Sequence, residues 1–176
     1  VYFIDNDDFF MKRKMATDEN GEEYDDNGER AIFFARGVLE TVKKLRWSPD
    51  VIHCQGWMGY IVPLFIKAAY NSEPAFADTK VVTSVFADGL KKNIGDNFKT
   101  CLEFKDVTVD SLSAYKDDFD FMELGKLAID NSDAVVEAEE GANPELIAYA
   151  KSKGIPVLAY PGEDYTVAYK KFYEEL

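Results

Sequence analysis

Histidine is almost missing from this sequence: His53 is the only one among 176 residues. Cysteine is nearly as scarce, with only Cys54 and Cys101. One histidine and no Cys-x-x-Cys pair are too few for a structural zinc site. Both cysteines lie in apolar surroundings, which reads as reduced core thiols in a cytoplasmic protein. No apolar run approaches the roughly 18 residues that a membrane span needs, and no signal-peptide pattern is present. A Gly-x-Ser-x-Gly elbow, a Gly-x-Gly-x-x-Gly turn and a Walker-type loop are all missing. Positive charge is also short: Lys and Arg number 20 against 33 Asp and Glu, a net charge of −13. Nucleic acid and anionic membrane both need a basic face, so neither is an expected partner.

Apolar and aromatic residues are what the chain has. An apolar fraction of 47% with 14% aromatics describes a globular protein. The length predicts one domain, residues 1–176, with a sizeable core. Residues 1–4, VYFI, read as a buried strand. A chain that begins inside a strand predicts a longer natural chain and an N-terminally incomplete domain.

The stretch at 49–67, PDVIHCQGWMGYIVPLFIK, organises the rest. Residues 51–54 are short and largely apolar, as in a buried parallel strand. Gln55 and Gly56 end the strand. From Trp57 on, Ile61, Leu64, Phe65 and Ala68 recur at helical spacing. Pro63 must either kink that helix or mark a start later than Trp57. Ligands of open α/β sheets bind where a strand's carboxyl end meets the next helix, and His53 sits beside that point.

Residues 11–27 read as a polar surface loop without the Asp-x-Asp-x-Asp-Gly spacing of a calcium site, so no metal is expected. Asp26 or Asn27 is placed to cap a helix carrying Ala31, Phe34, Val38, Leu39, Val42 and Leu45. A strand at 80–86 follows, then an irregular stretch at 87–97, a segment at 98–104 that periodicity assigns to neither helix nor strand, and a helix at 119–129. Next come a strand at 134–138 and a helix capped by Asn143-Pro144 and stopped at Gly154. A strand at 156–160 and an amphipathic helix at 165–176 complete the chain. About five strands alternating with helices predict an α/β fold, an open, mostly parallel sheet with helices on both faces. His53 has two readings from the residues alone: a satisfied, half-buried histidine or a catalytic one. Trp57 likewise reads as a core aromatic or as a sugar-stacking face.

Residues 24–57, YDDNGERAIFFARGVLETVKKLRWSPDVIHCQGW, resemble the bacterial glycogen and starch synthases, glycosyltransferase family 5. Trp47, Pro49, Asp50, His53, Trp57, Val62, Pro63, Leu64 and Lys67 fit that family's pattern. Weaker likenesses lie at 1–6, 80–84 and 132–150, the last with Asn143 at the family's serine. The resemblance implies one Rossmann-like half of a two-domain (GT-B) enzyme. Such enzymes move glucose from ADP-glucose to an α-1,4-glucan, with no metal and no cofactor. It implies Asp26, His53 and Gln55 as candidate catalytic groups, and Asn27, Trp57 and Met58 as candidate substrate contacts. The departures are specific. Gln55-Gly56 and Met58 replace the family's His-Asp and last histidine, and Phe86-Ala87 replace its His-Asn. Its Lys-Thr-Gly-Gly loop and donor-binding domain have no counterpart in these residues. Transfer by this chain alone is therefore not expected. A partner chain supplying the donor half, or a non-catalytic glucan-binding, regulatory or structural role, is the alternative.

Overall fold

The computed structural model describes residues 1–95 and 97–176. A short helix, α1 (Asp7–Phe10), and a long one, α2 (Asn27–Lys44), precede the sheet. Then follow β1 (Val51–Cys54), a 3-10 turn (Trp57–Gly59), α3 (Val62–Leu64) and β2 (Lys80–Val85). Next come α4 (Phe98–Cys101), α5 (Phe121–Asp130), β3 (Ala134–Glu137), α6 (Pro144–Ser152), β4 (Val157–Leu158) and α7 (Tyr165–Glu174). The sheet has four strands in the order β1-β2-β3-β4, all parallel.

That order decides where the helices go. Each crossover steps in the same direction, and right-handed crossovers then place α3, α5 and α6 on one face. Side chains alternate accordingly. Ile52, Cys54, Val81, Val85, Val135 and Val157 join the main core with α2, α3, α5 and α6. Val51, Val82, Ala134, Val136 and Leu158 face the other side, where Tyr169, Phe172, Tyr173 and Leu176 cover them. Helices thus lie on both faces, and among the described helices α7 alone covers the second one.

The local signals act as their chemistry predicts. Gly56, at φ +73, makes the turn out of β1. Pro63 sits in the first turn of α3, so the helix starts after Trp57 and no kink is needed. Beyond it the helix widens to a π turn over Phe65–Ala69. Asn143 caps α6 by accepting from the Glu145 and Leu146 N–H groups, and Gly154 follows it at φ +71. Segment 98–104, undecided from periodicity, begins with the short helix α4.

Residues 1–4 are not a strand. Val1, Tyr2 and Phe3 are exposed, and Ile4 rests against Gly37 of α2. A β-rich tetrapeptide becomes a strand only beside a partner, and none of the described strands pairs with it. Asn6 instead accepts from the Asp8 and Phe9 N–H groups and starts α1, with Asp7 and Asp8 favourably placed in its first turn.

Candidate substrate cleft

A cavity of about 520 Å³ opens at the carboxyl ends of all four strands. Gln55 follows β1, Ser84 and Phe86 come from β2 and its end, Ala138 follows β3, and Tyr160 follows β4. The turn through Gly162 and Glu163 closes one side together with Tyr165 and Tyr169 of α7. Gly162 holds φ +75 and reverses the chain from β4 into that helix. This is the place where open parallel sheets bind ligands.

His53 lies beneath the cleft, on the α7 side of β1. Its Nδ1 is 2.5 Å from the Tyr173 hydroxyl and its Nε2 is 2.7 Å from the Ser84 hydroxyl. Tyr169 and Tyr173 pack on its ring at 5.5 and 5.8 Å between centroids. Burial pushes the imidazole down to about 4. It is therefore neutral at physiological pH, and both nitrogens are engaged. The neighbouring Cys54 thiol is fully buried, and burial pushes it up to about 12, so it is inert as a nucleophile. Gln55 is exposed and free to face a ligand in the cleft.

The other candidates lie elsewhere. The Asp26 side chain does not cap α2. It accepts two hydrogen bonds from the Arg13 guanidinium, at 2.5 and 2.7 Å, and Arg13 also lies 4.1 Å over the Tyr24 ring. The Arg13 hydrogen bonds hold the Asp26 carboxyl below the usual carboxylate range, which makes it a poor proton acceptor. Asn27 is buried; its amide donates to the Ala16 carbonyl and its oxygen accepts from Arg30. Met58 lines a separate cavity of about 280 Å³ with Ile4, Phe10, Arg13, Lys14, Met15, Arg30 and Phe34. Trp57 packs against the main core. The six candidates thus fall into a group at the cleft (His53, Gln55), a group beside α2 (Asp26, Asn27, Met58) and a core aromatic.

Sequence reading passed over Ser84, Tyr160, Tyr165, Tyr169 and Tyr173. A signal existed: Tyr165, Tyr169 and Tyr173 recur every four residues, so one face of the last helix is a tyrosine stripe. Among the described residues, no group of three or more His, Cys, Asp or Glu side chains is arranged to hold a metal ion. No described helix is long and apolar enough to cross a membrane.

Comparison with known proteins places this geometry. Glycogen synthase of Chlorobium limicola is 42% identical over 86 residues, which is 48% of this chain and 18% of that protein. Glycogen synthase of Vibrio parahaemolyticus is 42% identical over 85 residues, 48% of this chain and 17% of that protein. Glycogen synthase of Clostridium perfringens is 36% identical over a stretch of the same extent. The aligned stretch therefore covers less than a fifth of each relative. No solved structure matches the chain. Residues 1–155 match the family described as the starch synthase catalytic domain. With that match over most of its length and a parallel sheet opening on a cleft, the chain belongs to the starch synthase catalytic-domain family, glycosyltransferase family 5.

Proposed function

We propose that this chain is the acceptor-side portion of an α-1,4-glucan synthase, holding the growing glucan at the carboxyl ends of its strands. The observation that carries the reading is the family match over residues 1–155, borne on a sheet whose strand ends open on a cleft of about 520 Å³. Glucose transfer from ADP-glucose needs preorganised polar groups on both sides of the developing charge. These residues form one Rossmann-like sheet, so a donor-binding half must come from elsewhere, in a partner chain or a further domain. Gln55 is the polar group best exposed for a sugar hydroxyl. The cytoplasm is the setting we assign, since ADP-glucose and reduced thiols belong there.

A second reading, a glucan-binding module without turnover, draws support from His53. Its two ring nitrogens are held by Tyr173 and Ser84, and Met58 lies in a different cavity. Radiolabelled ADP-glucose with a maltooligosaccharide primer tests both. Transfer by the chain together with a donor-half protein, and none without it, supports the synthase. Maltooligosaccharide binding with no transfer in any combination supports the module. Absence of both binding and transfer refutes the two readings together.

A further inference from the structure

Much of the cleft wall lies outside the segment that matches the family. The match ends at residue 155, whereas Tyr160, Gly162, Glu163, Tyr165 and Tyr169 all come after it. Two separate tasks are visible in this last segment. Tyr169, Phe172, Tyr173 and Leu176 pack against Val82, Ala134 and Val136 and dock α7 on the sheet. Tyr160 and Tyr165 take no part in that cluster. They are 41% and 52% exposed, yet both line the cleft. An exposed aromatic pair facing a cavity, outside the cluster that docks the helix, is a recognition surface rather than core.

Its chemistry selects the ligand. The lining residues include no Lys, Arg or His, and the one carboxylate among them is Glu163. A diphosphate would find no counter-charge here and would meet an anion. A pyranose ring suits the site: its C–H face stacks on an aromatic ring, while Gln55 and Glu163 offer hydrogen-bond partners to its hydroxyls. The Tyr165 side of the wall is also ordered in advance. Tyr169 is wedged against His53 at 5.5 Å and Tyr165 at 5.5 Å, so little freedom is lost when a sugar arrives.

We propose that Tyr160 and Tyr165, backed by Tyr169, form a sugar-stacking wall that dedicates this cleft to a neutral glucan chain and not to the nucleotide donor. The proposal rests on the glucan reading given above and assigns the contact to the segment beyond the family match.

Calorimetric titration of the chain with maltoheptaose, and separately with ADP, tests it. Wild type should bind maltoheptaose and show no heat with ADP. Tyr160→Ala with Tyr165→Ala should weaken maltoheptaose binding about tenfold or more, at an unchanged urea midpoint. The matching Phe pair, which keeps both rings, should retain most of the affinity. Val167→Ala, on the exposed side of the same helix, should retain all of it. Wild-type affinity in the folded Ala pair would overturn the wall and leave the glucan reading standing. So would loss of binding in the Phe pair equal to that in the Ala pair. ADP binding that disappears in the Ala pair would overturn the neutral-ligand assignment. Absence of maltoheptaose binding by wild type would overturn the glucan reading and the wall with it.

Discussion

Arg30 should be the residue whose loss most damages the architecture around the N-terminal loop. Its side chain is 1% exposed, yet among the described residues no carboxylate bonds it directly. Its Nε donates to the Phe9 carbonyl at 3.0 Å, and its Nη1 donates to the Met15 carbonyl at 2.9 Å and Asn27 Oδ1 at 2.7 Å. Its Nη2 donates to the Lys14 carbonyl at 2.9 Å. One planar fork thus ties α1 and two points of the loop after it to α2. A positive charge in a helix's first turn opposes the dipole, so its position makes sense only through these bonds. Hydrogen bonds to a charged group contribute roughly 1.5–3 kcal/mol each. Four of them do not add, because the freed loop carbonyls rehydrate and removing a buried charge returns part of its desolvation cost. Arg30→Met, which keeps most of the volume, should therefore cost about 3 kcal/mol, the scale for leaving buried partners unsatisfied.

Two assays separate this account from simple core damage. Urea unfolding should show a lowered midpoint with an unchanged slope. Trypsin should cut faster after Lys12, Arg13 and Lys14, since these residues lie in the released loop, while sites in α5 and α6 keep their protection. Arg30→Lys keeps the charge but has one nitrogen in place of a fork, so it should recover less than half of the loss. A cost below about 1 kcal/mol for Arg30→Met, with unchanged trypsin cutting at Lys12, Arg13 and Lys14, would refute the reasoning.

Three further outcomes follow from the same structure. Burial lowers His53 from 6.5 to about 4, so the folded state binds fewer protons there; stability is full above about pH 6.5, falls as pH drops toward 4, and is flat below. The loss should reach about 2 kcal/mol once discounted for solvent at this half-buried ring, and His53→Gln should flatten the urea midpoint over that window. Asn143→Ala removes the cap on the Glu145 and Leu146 N–H groups and should cost about 1 kcal/mol in the same assay, while Asn143→Ser should cost much less. Gly125→Ala gains helix propensity, but its Cβ would stand 2.6 Å from Cδ1 of the fully buried Leu146; overpacking should win and lower the thermal midpoint, with Leu146→Ala largely removing the clash while opening a cavity.

The parts of the fold that were legible in the sequence are those fixed by neighbouring residues. The apolar runs of β1, β2 and β3, the Asn143-Pro144 start of α6 and its Gly154 stop each carry their signal within a few positions. Residues 1–4 misled because strand formation depends on a partner, and the tetrapeptide's own β propensity says nothing about one. The site was hardest to read because its contacts join distant segments. His53 and Tyr173 are 120 positions apart, and His53 and Ser84 are 31 apart. Asp26 looked like a cap or a cleft acid, and only the loop returning Arg13 to it gives it a third role. The tyrosines of α7 read as one amphipathic face, whereas the fold divides them between docking and the cleft.

That division bears on where catalysis is assembled. Family likeness groups Asp26, His53 and Gln55 as though they shared one site. The structure puts His53 under α7 on one face of the sheet, while Asp26 and Asn27 belong to the start of α2, whose apolar side packs into the core on the other face. The cleft and the Met58 cavity have no lining residue in common. Asp26 is neutralised by Arg13 and His53 is neutral, so neither offers an unspent charge to a developing oxocarbenium ion or to a departing diphosphate. The departing diphosphate carries the larger charge and requires cations, which the cleft lining lacks. On the proposed synthase reading, the cationic, donor-stabilising groups come from outside this cleft lining, and this sheet's share is position and orientation of the sugar chain.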